Sequence, residues 1–413
     1  MPSKSLALRC SLFIFLFCAS AFAEVTEEGL SYLNRLRQHT GLIPLHINNA
    51  LTKAANAHAK YLIAHQKTGH YEKKGKKYYT GYSPTQRVLK AGYGSPVAME
   101  NISTNTVSDK ASIDTLFSAI YHRFVFLDLE KDEIGLGVAT SKNKKRVKKA
   151  YVYDLGASVL VKLCQKNYTL KNGMYYIKGV CKDAEKMVPQ NIFDKQKSLI
   201  GLQNSKIILY PYDGEKEVSP AFYNESPDPL PKYDVSGFPV SVQFNPALVT
   251  RVKLKSFRLY DEAGNEITKT KVLQAKNDPH HILKKFEFAL MPLARLEFAQ
   301  TYKAVFESKV DGKDMVKKWR FTTQTFKEKL FRISKNSTTL EVSAGESIIL
   351  YMAPNHRKDL LKNYRLSGEA KATFLDQNTL KIHFPKSRHA SKVSLSFGDK
   401  RRVVFKILPN DKD

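Results

Sequence analysis

The stretch LTKAANAHAKYL, residues 51–62, decides how the first third of the chain folds. Leu51, Ala54, Ala55, His58, Ala59 and Leu62 recur at i, i+3, i+4, i+7, i+8 and i+11, a spacing that gathers them on one side of an α-helix. Upstream, GLSYLNRLRQHTG (29–41) sets Leu30, Leu33 and Leu36 along one helical side and stops at Gly41. Downstream, a Gly- and Tyr-rich connection leads to ASIDTLFSAIYHRF (111–124), where Ile113, Leu116, Phe117, Ile120, Tyr121 and Phe124 resume the helical period. IGLGVAT (134–140) and AYVYDLG (150–156) then read as two strands of an antiparallel hairpin around the basic tip KNKKRVKK (142–149). Helices followed by paired strands predict an α+β domain over 24–160.

Past about residue 160 the helical period largely disappears. Short β-rich runs follow one another: SKIILYPY, PVSVQFN, SFRLYDEAG, KFEFAL, TYKAVFES and KKWRFTTQ, separated by turn signals such as Asp213-Gly214 and Asp311-Gly312. Such punctuation predicts a β-sandwich over 205–325, and a further β block over 326–413. The chain of 413 residues is too long for one core, so several domains are expected.

The N-terminus has the order of a secretory leader. Lys4 and Arg9 precede the apolar run SLFIFLFC (11–18), and Ala21-Phe22-Ala23 supplies a small-x-small cleavage signature, so a Sec signal peptide over 1–23 is expected to be cut after Ala23. No later run approaches a transmembrane span. The mature protein is expected to be secreted or periplasmic. Cys164 and Cys181 are then the remaining cysteines, and two thiols in an exported chain favour one disulfide. Asn172-Gly173 between them predicts that they face each other across a hairpin, within a disulfide hairpin and linker over 161–204. A zinc site is the weaker alternative, since two cysteines are an incomplete ligand set.

The formal net charge of +28 falls to +26 once Lys4 and Arg9 leave with the leader. So large an excess attracts polyanions: anionic lipid, wall polymers or nucleic acid. Nucleic acid lacks any recognisable module here. Most of the lysines are scattered, as on a solvated basic surface, with dense runs at Lys73–Lys77 and 142–149.

Against that background MENIS (99–103) stands out, because Glu100 is the sole acidic residue between Glu72 and Asp109. An exposed acid there would merely dilute positive charge, whereas a buried one needs donors or a metal. Arg87 is the most economical local partner.

LNRLRQHTGLIPL, LTKAANAHAKYL, TGH (68–70), MENI (99–102) and HRF followed by EIGLGVA occur in an order and spacing that resemble a bacterial member of the CAP superfamily, the cysteine-rich secretory, antigen and pathogenesis-related (SCP-like) proteins. The resemblance covers roughly residues 27–157 and implies an α-β-α sandwich. It also implies a cavity lined by two histidines and one or two glutamates, in which some members hold a divalent metal. Carried over, the first histidine is His70, the glutamate is Glu100 and the second histidine is His122. The family's usual second glutamate and its tryptophan are absent, Ala119 and Leu116 standing in their places. On a helical wheel His122 falls opposite the apolar stripe, so it faces solvent or a cavity. Two imidazoles and one carboxylate make a reasonable zinc set with an open position for water, with His70 and His122 as the metal ligands. The segment from YPYDG to KKWRFTT separately resembles bacterial Ig-like modules of the surface-layer type, which makes the fold expectation one CAP-like domain followed by two all-β Ig-like sandwiches.

Other histidines have plainer roles in prospect. His58 and His65 read as core or boundary residues, and His280-His281 as part of an exposed loop; Tyr79, Tyr82 and Tyr93 read as packing over the cavity, with a ligand-binding role as the weaker alternative. The leading expectation is a secreted, non-catalytic protein binding an anionic envelope component, lipid or wall fragment. The alternative is a metal-assisted hydrolase of peptide or cell-wall material, with Glu100 as general base toward a bound water.

Overall fold

The computed structural model describes residues 17–142, 146–398 and 400–409. The expected leader falls largely, and the centre of the basic tip wholly, outside the described residues. Two compact units divide the chain, the first formed essentially by residues up to Ile208 together with Asn245–Leu248, the second by the remainder.

In the first unit the helical periods become α1 (Phe17–Thr40), α2 (Asn49–His65), α3 (Pro84–Ala91), α4 (Asp109–Ser118) and α5 (Ile120–Phe126). They surround one sheet of β1 (His46–Ile47), β2 (Met99–Thr104), β3 (Glu133–Thr140) and β4 (Lys149–Gly156), in the order β1-β3-β4-β2. β3 and β4 pair antiparallel from Glu133 opposite Gly156 to Thr140 opposite Lys149, the hairpin expected from the sequence. The two glycines of IGLGVAT set how closely α2 lies on this hairpin. A Cβ on Gly135 would come within 2.0 Å of the Leu51 carbonyl carbon, and one on Gly137 within 2.2 Å of that of Ala55. The alanine face of α2 therefore rests almost directly on bare backbone. Asn48 caps the helix, its side chain accepting from the N–H groups of Ala50 and Leu51.

Three expectations need correction. Residues 111–124 are not one helix: α4 ends at Ser118 and α5 starts at Ile120. The buried Arg123 takes up a carbonyl freed near the break, its Nε donating to Phe117 O at 2.6 Å. The helical pattern also does not stop at residue 160. The segment 161–204 carries most of α6 (Ser158–Gln165) and all of α7 (Gln190–Gly201), whose Leu160, Leu163, Phe193 and Ile200 share a core with Val180 and Val188. Finally, Cys164 and Cys181 are bonded, with Cα atoms 5.4 Å apart, but not across a hairpin. Cys164 lies in α6, and the short strands β5 (Tyr176–Ile177) and β6 (Val188–Pro189) pair around the Cys181 loop. The apolar spacing of SVLVKLCQ won over the turn signal, because burying Leu160 and Leu163 outweighs a two-residue turn with no strands beside it.

The second unit is β throughout. One sheet runs β13-β14-β11-β7, from β7 (Ile207–Tyr210), β11 (Val240–Phe244), β13 (Thr270–Gln274) and β14 (Glu287–Pro292); another runs β12-β15-β16-β8, from β8 (Glu215–Val218), β12 (Val252–Tyr260), β15 (Thr301–Val310) and β16 (Lys313–Thr323). A two-stranded ribbon, β9 (Ala221–Tyr223) with β10 (Val235–Gly237), lies between them in sequence. Phe244 and Phe288 of the first sheet meet Phe306 of the second at 5.8 and 5.3 Å, so the sheets pack face to face. A second pair of sheets follows: β17 (Lys329–Ile333), β19 (Ser347–Met352), β22 (Thr379–His383) and β21 (Lys371–Asp376) against β18 (Ser337–Ser343), β24 (Arg402–Leu408), β23 (Ser391–Phe397) and β20 (Tyr364–Ser367). Ile348, Leu350 and Ile382 from one side share a core with Leu395, Val403 and Phe405 from the other. Among the described residues no helix is long and apolar enough to cross a membrane.

Candidate functional site

Glu100 is buried at the second position of β2. Strand alternation sends its side chain to the same face as Ile102, which packs against the α2 cluster, while Asn101 faces the other way. Asn101 Nδ2 donates to the His122 carbonyl at 2.9 Å, which ties β2 to α5. Each Glu100 oxygen has its own donor. His70 Nδ1 reaches Oε1 at 2.8 Å, and Arg87 Nη2 reaches Oε2 at 2.6 Å.

Arg87 comes from α3, which Ser83 caps at its start and Gly92 ends in the left-handed conformation. Besides Glu100 it binds the His70 carbonyl through Nη1 at 2.9 Å, and its Nε lies 3.9 Å from Glu72 Oε1. Glu72 is buried too. It accepts from Thr80 N at 2.6 Å, Gly81 N at 3.3 Å and His58 Nδ1 at 2.8 Å. His58 Nε2 faces Gly69 O at 3.1 Å, with Glu100 Oε1 4.0 Å away. Both ring nitrogens of His58 thus face oxygen acceptors. The Arg87 guanidinium lies between the two buried carboxylates, bonded to Glu100 and 3.9 Å from Glu72, and buried charge is tolerated when it is paired in this way.

Burial alone would raise both carboxyls. For Glu100 the hydrogen bond from His70 and the charge of Arg87 outweigh it and hold the group below the usual range. For Glu72 the bonds from His58 and the Thr80 backbone do the same. Asp154 behaves oppositely. It lies directly opposite Glu100 in the β2–β4 register and is fully buried, and no N–H or O–H of another described residue reaches its oxygens. Burial first, and the facing Glu100 second, push it well above the carboxylate range. The two facing carboxyls are therefore pushed in opposite directions, Asp154 up and Glu100 down.

The structure therefore brings His70 and Glu100 together and adds the Arg87 expected as their competitor for a metal. His122 meets the segment through its backbone. Sequence reasoning missed His58 as a polar partner, Glu72 and Asp154. An aspartate inside the apolar strand AYVYDLG was a signal for the last, since Asp is depleted in strands. His65 binds Lys77 O at 2.8 Å, Tyr93 donates to Glu133 at 2.7 Å, and His280 binds Asp228 O at 2.8 Å from an exposed position, all outside the cluster.

What can this arrangement do? A buried guanidinium fixes a carboxylate, the carboxylate fixes an imidazole, and the imidazole is 37% exposed. Because Nδ1 donates to Glu100, Nε2 is the ring nitrogen left for a further partner.

No curated protein matches the chain. Among solved structures, an outer surface protein of Borrelia burgdorferi is 19% identical over 32% of this chain and 92% of its own, with a TM-score of 0.28. An extracellular protein containing an SCP domain from Bacillus anthracis is 17% identical over 32% of this chain and 39% of its own, with a TM-score of 0.27. Residues 30–154, which carry α2, the β3–β4 hairpin and the whole charged cluster, match the model of the cysteine-rich secretory protein family, and this segment is a CAP domain.

Proposed function

We propose that the chain is a secreted binding protein whose CAP domain presents His70 to an extracellular or envelope ligand, while the β-modules, taken as Ig-like spacers, hold that domain at its place of action. The observation that carries this is how Glu100 is held: buried, with one oxygen on His70 and the other on Arg87, it is committed to orienting an imidazole. The Cys164–Cys181 bond suits the oxidising compartment that export implies, as do the expected leader and a CAP domain.

The donor set argues against a metal at Glu100. The Arg87 guanidinium already supplies positive charge at the carboxylate, and His70 keeps only Nε2 for a further partner. Among the described residues no three His, Cys, Asp or Glu side chains are grouped to hold a metal ion. A metal shared by His70 and His122 would appear as stoichiometric metal in the purified mature protein, lost in His70→Ala/His122→Ala.

A second reading, hydrolysis of peptide or wall material, is favoured by one feature: the Glu100–Asp154 pair has the split protonation of acid–base sites. Incubating the protein with peptidoglycan and peptide substrates, with and without chelator, separates the two. Retention on wall material without turnover, and weakened in His70→Ala, supports binding; turnover lost in Glu100→Gln or Asp154→Asn overturns it.

A further inference from the structure

Next to His70 the chain makes a closed loop that the cluster chemistry does not explain. Glu72 N donates to Tyr82 O at 3.0 Å, and the Glu72 carboxylate pulls the far side inward through Thr80 and Gly81. Lys73 N donates to Tyr61 OH at 2.9 Å, which pins the near side. Closing the loop in this way brings Tyr71 against Tyr82, with ring centroids 4.9 Å apart and planes 30° from parallel. Yet the two rings are 63% and 56% exposed. A preorganised base holding two large rings in water gives up the apolar burial that tyrosines in this neighbourhood, such as Tyr61 and Tyr93, obtain.

The rest of the loop is of one charge. Lys73, Lys74, Lys76 and Lys77 are all exposed, and its sole acid, Glu72, is turned inward. Paired rings beside exposed ammonium groups suit a chain molecule with flat apolar faces and regularly spaced anions. Sugar rings offer C–H faces of that kind, and acidic sugars carry the charge. Single-stranded nucleic acid shares the chemistry, but the disulfide of this same unit belongs to an oxidising exterior, where acidic polysaccharides are the polyanions at hand. We infer that the Tyr71–Tyr82 pair and the four lysines of the 72–82 loop form a subsite for an acidic glycan chain running past His70. This rests on the binding reading above and names its ligand class.

The test uses the full mature protein and three probes: an oligogalacturonate octamer, the same octamer fully methyl-esterified, and an oligothymidylate of equal charge. Calorimetric affinities are compared for wild type, Tyr71→Ala/Tyr82→Ala, a Lys73/74/76/77→Gln variant and His70→Ala. The tyrosines and lysines are exposed, so these variants are expected to fold, and circular dichroism checks it. The acidic octamer is expected to bind wild type best. Loss of the tyrosines should weaken it about tenfold or more, as two stacking contacts imply, and loss of the lysines should flatten the salt dependence. Unchanged affinity in the tyrosine variant, equal binding of the neutral octamer, or tighter binding of the oligothymidylate overturns the assignment. If His70→Ala alone abolishes binding and the loop variants do not, the subsite fails and the His70 reading stands. If the loop variants lose binding and His70→Ala does not, the subsite stands without it.

Discussion

At the scale of single residues the site depends on which carboxyl keeps its proton. Glu100 could be picked out by its isolation among lysines and by resemblance, and Arg87 by proximity of sign. Asp154 was marked only as an aspartate in an apolar strand; its place opposite Glu100 is set by strand register, a non-local fact. Its pKa is raised in the folded state, so the native protein holds a proton that the unfolded chain releases in the ordinary carboxylate range. Stability contributed this way is complete at low pH and is lost as pH rises toward the raised value, at about 1.4 kcal/mol per pH unit within the window. Glu100, held low, acts in the opposite sense and loses its contribution on acidification. Asp154→Asn replaces the acid O–H by an amide N–H that cannot titrate. Urea unfolding from about pH 4 to about pH 9 should show the wild type weakening as pH rises above the ordinary carboxylate range and the variant losing that slope. A variant with the wild-type slope would mean that Asp154 is ionised in the native protein.

At the scale of elements, what was legible followed the period of apolar residues. Two-residue alternation in TYKAVFES and KKWRFTTQ, and the 3.6 period of LTKAANAHAKYL, both gave the right element. The errors arose where period is a poor guide. Eight-residue α6 is too short to show one clearly, and the α4–α5 break depends on a side chain six residues away taking up Phe117 O. The α2 contact is the element-scale feature with the sharpest consequence. Gly137→Ala would drive a methyl against backbone atoms of Ala55 and Asn56, 2.2 and 2.3 Å away, and neither can swing aside. Separating helix from sheet to admit it should cost about 3 kcal/mol. Because His58 lies on α2 and Glu100 on β2, the same displacement should loosen the charged cluster. Thermal unfolding measures the first effect. The His70 ring resonances in a proton NMR titration measure the second, and a variant with wild-type melting would contradict the close packing.

At the scale of the whole molecule, tandem β-modules follow a CAP domain, and one feature of the second unit speaks to how such modules behave. Between β14 and β15, Arg295 reaches out of its own module to Asp376 at the end of β21, with Nη2 to Oδ2 at 2.7 Å and Nη1 to Oδ1 at 3.2 Å. Tyr223 OH donates to the same carboxylate at 2.8 Å, and the guanidinium lies over the Tyr351 and Phe298 rings at 4.5 and 4.7 Å. The pair is bidentate, stacked and nearly dry, unlike the exposed ion pairs elsewhere on this basic surface. Burial works to raise Asp376, and Arg295 more than offsets it, so its contribution is present at neutral pH and lost as acid falls below the usual carboxylate range. A flexible string of spacers would have no use for such a joint, so the two β-modules are expected to unfold together. Asp376→Ala leaves Arg295 buried without its anion and should cost about 3–5 kcal/mol, most of it in the coupling between modules. Calorimetry of the wild type near neutral pH should then show one β-transition and that of the variant two. Acidifying the wild type should reproduce the split, because protonating Asp376 removes the same charge; a single transition in the variant would mean that other contacts, such as Arg332 with Glu297, carry the joint.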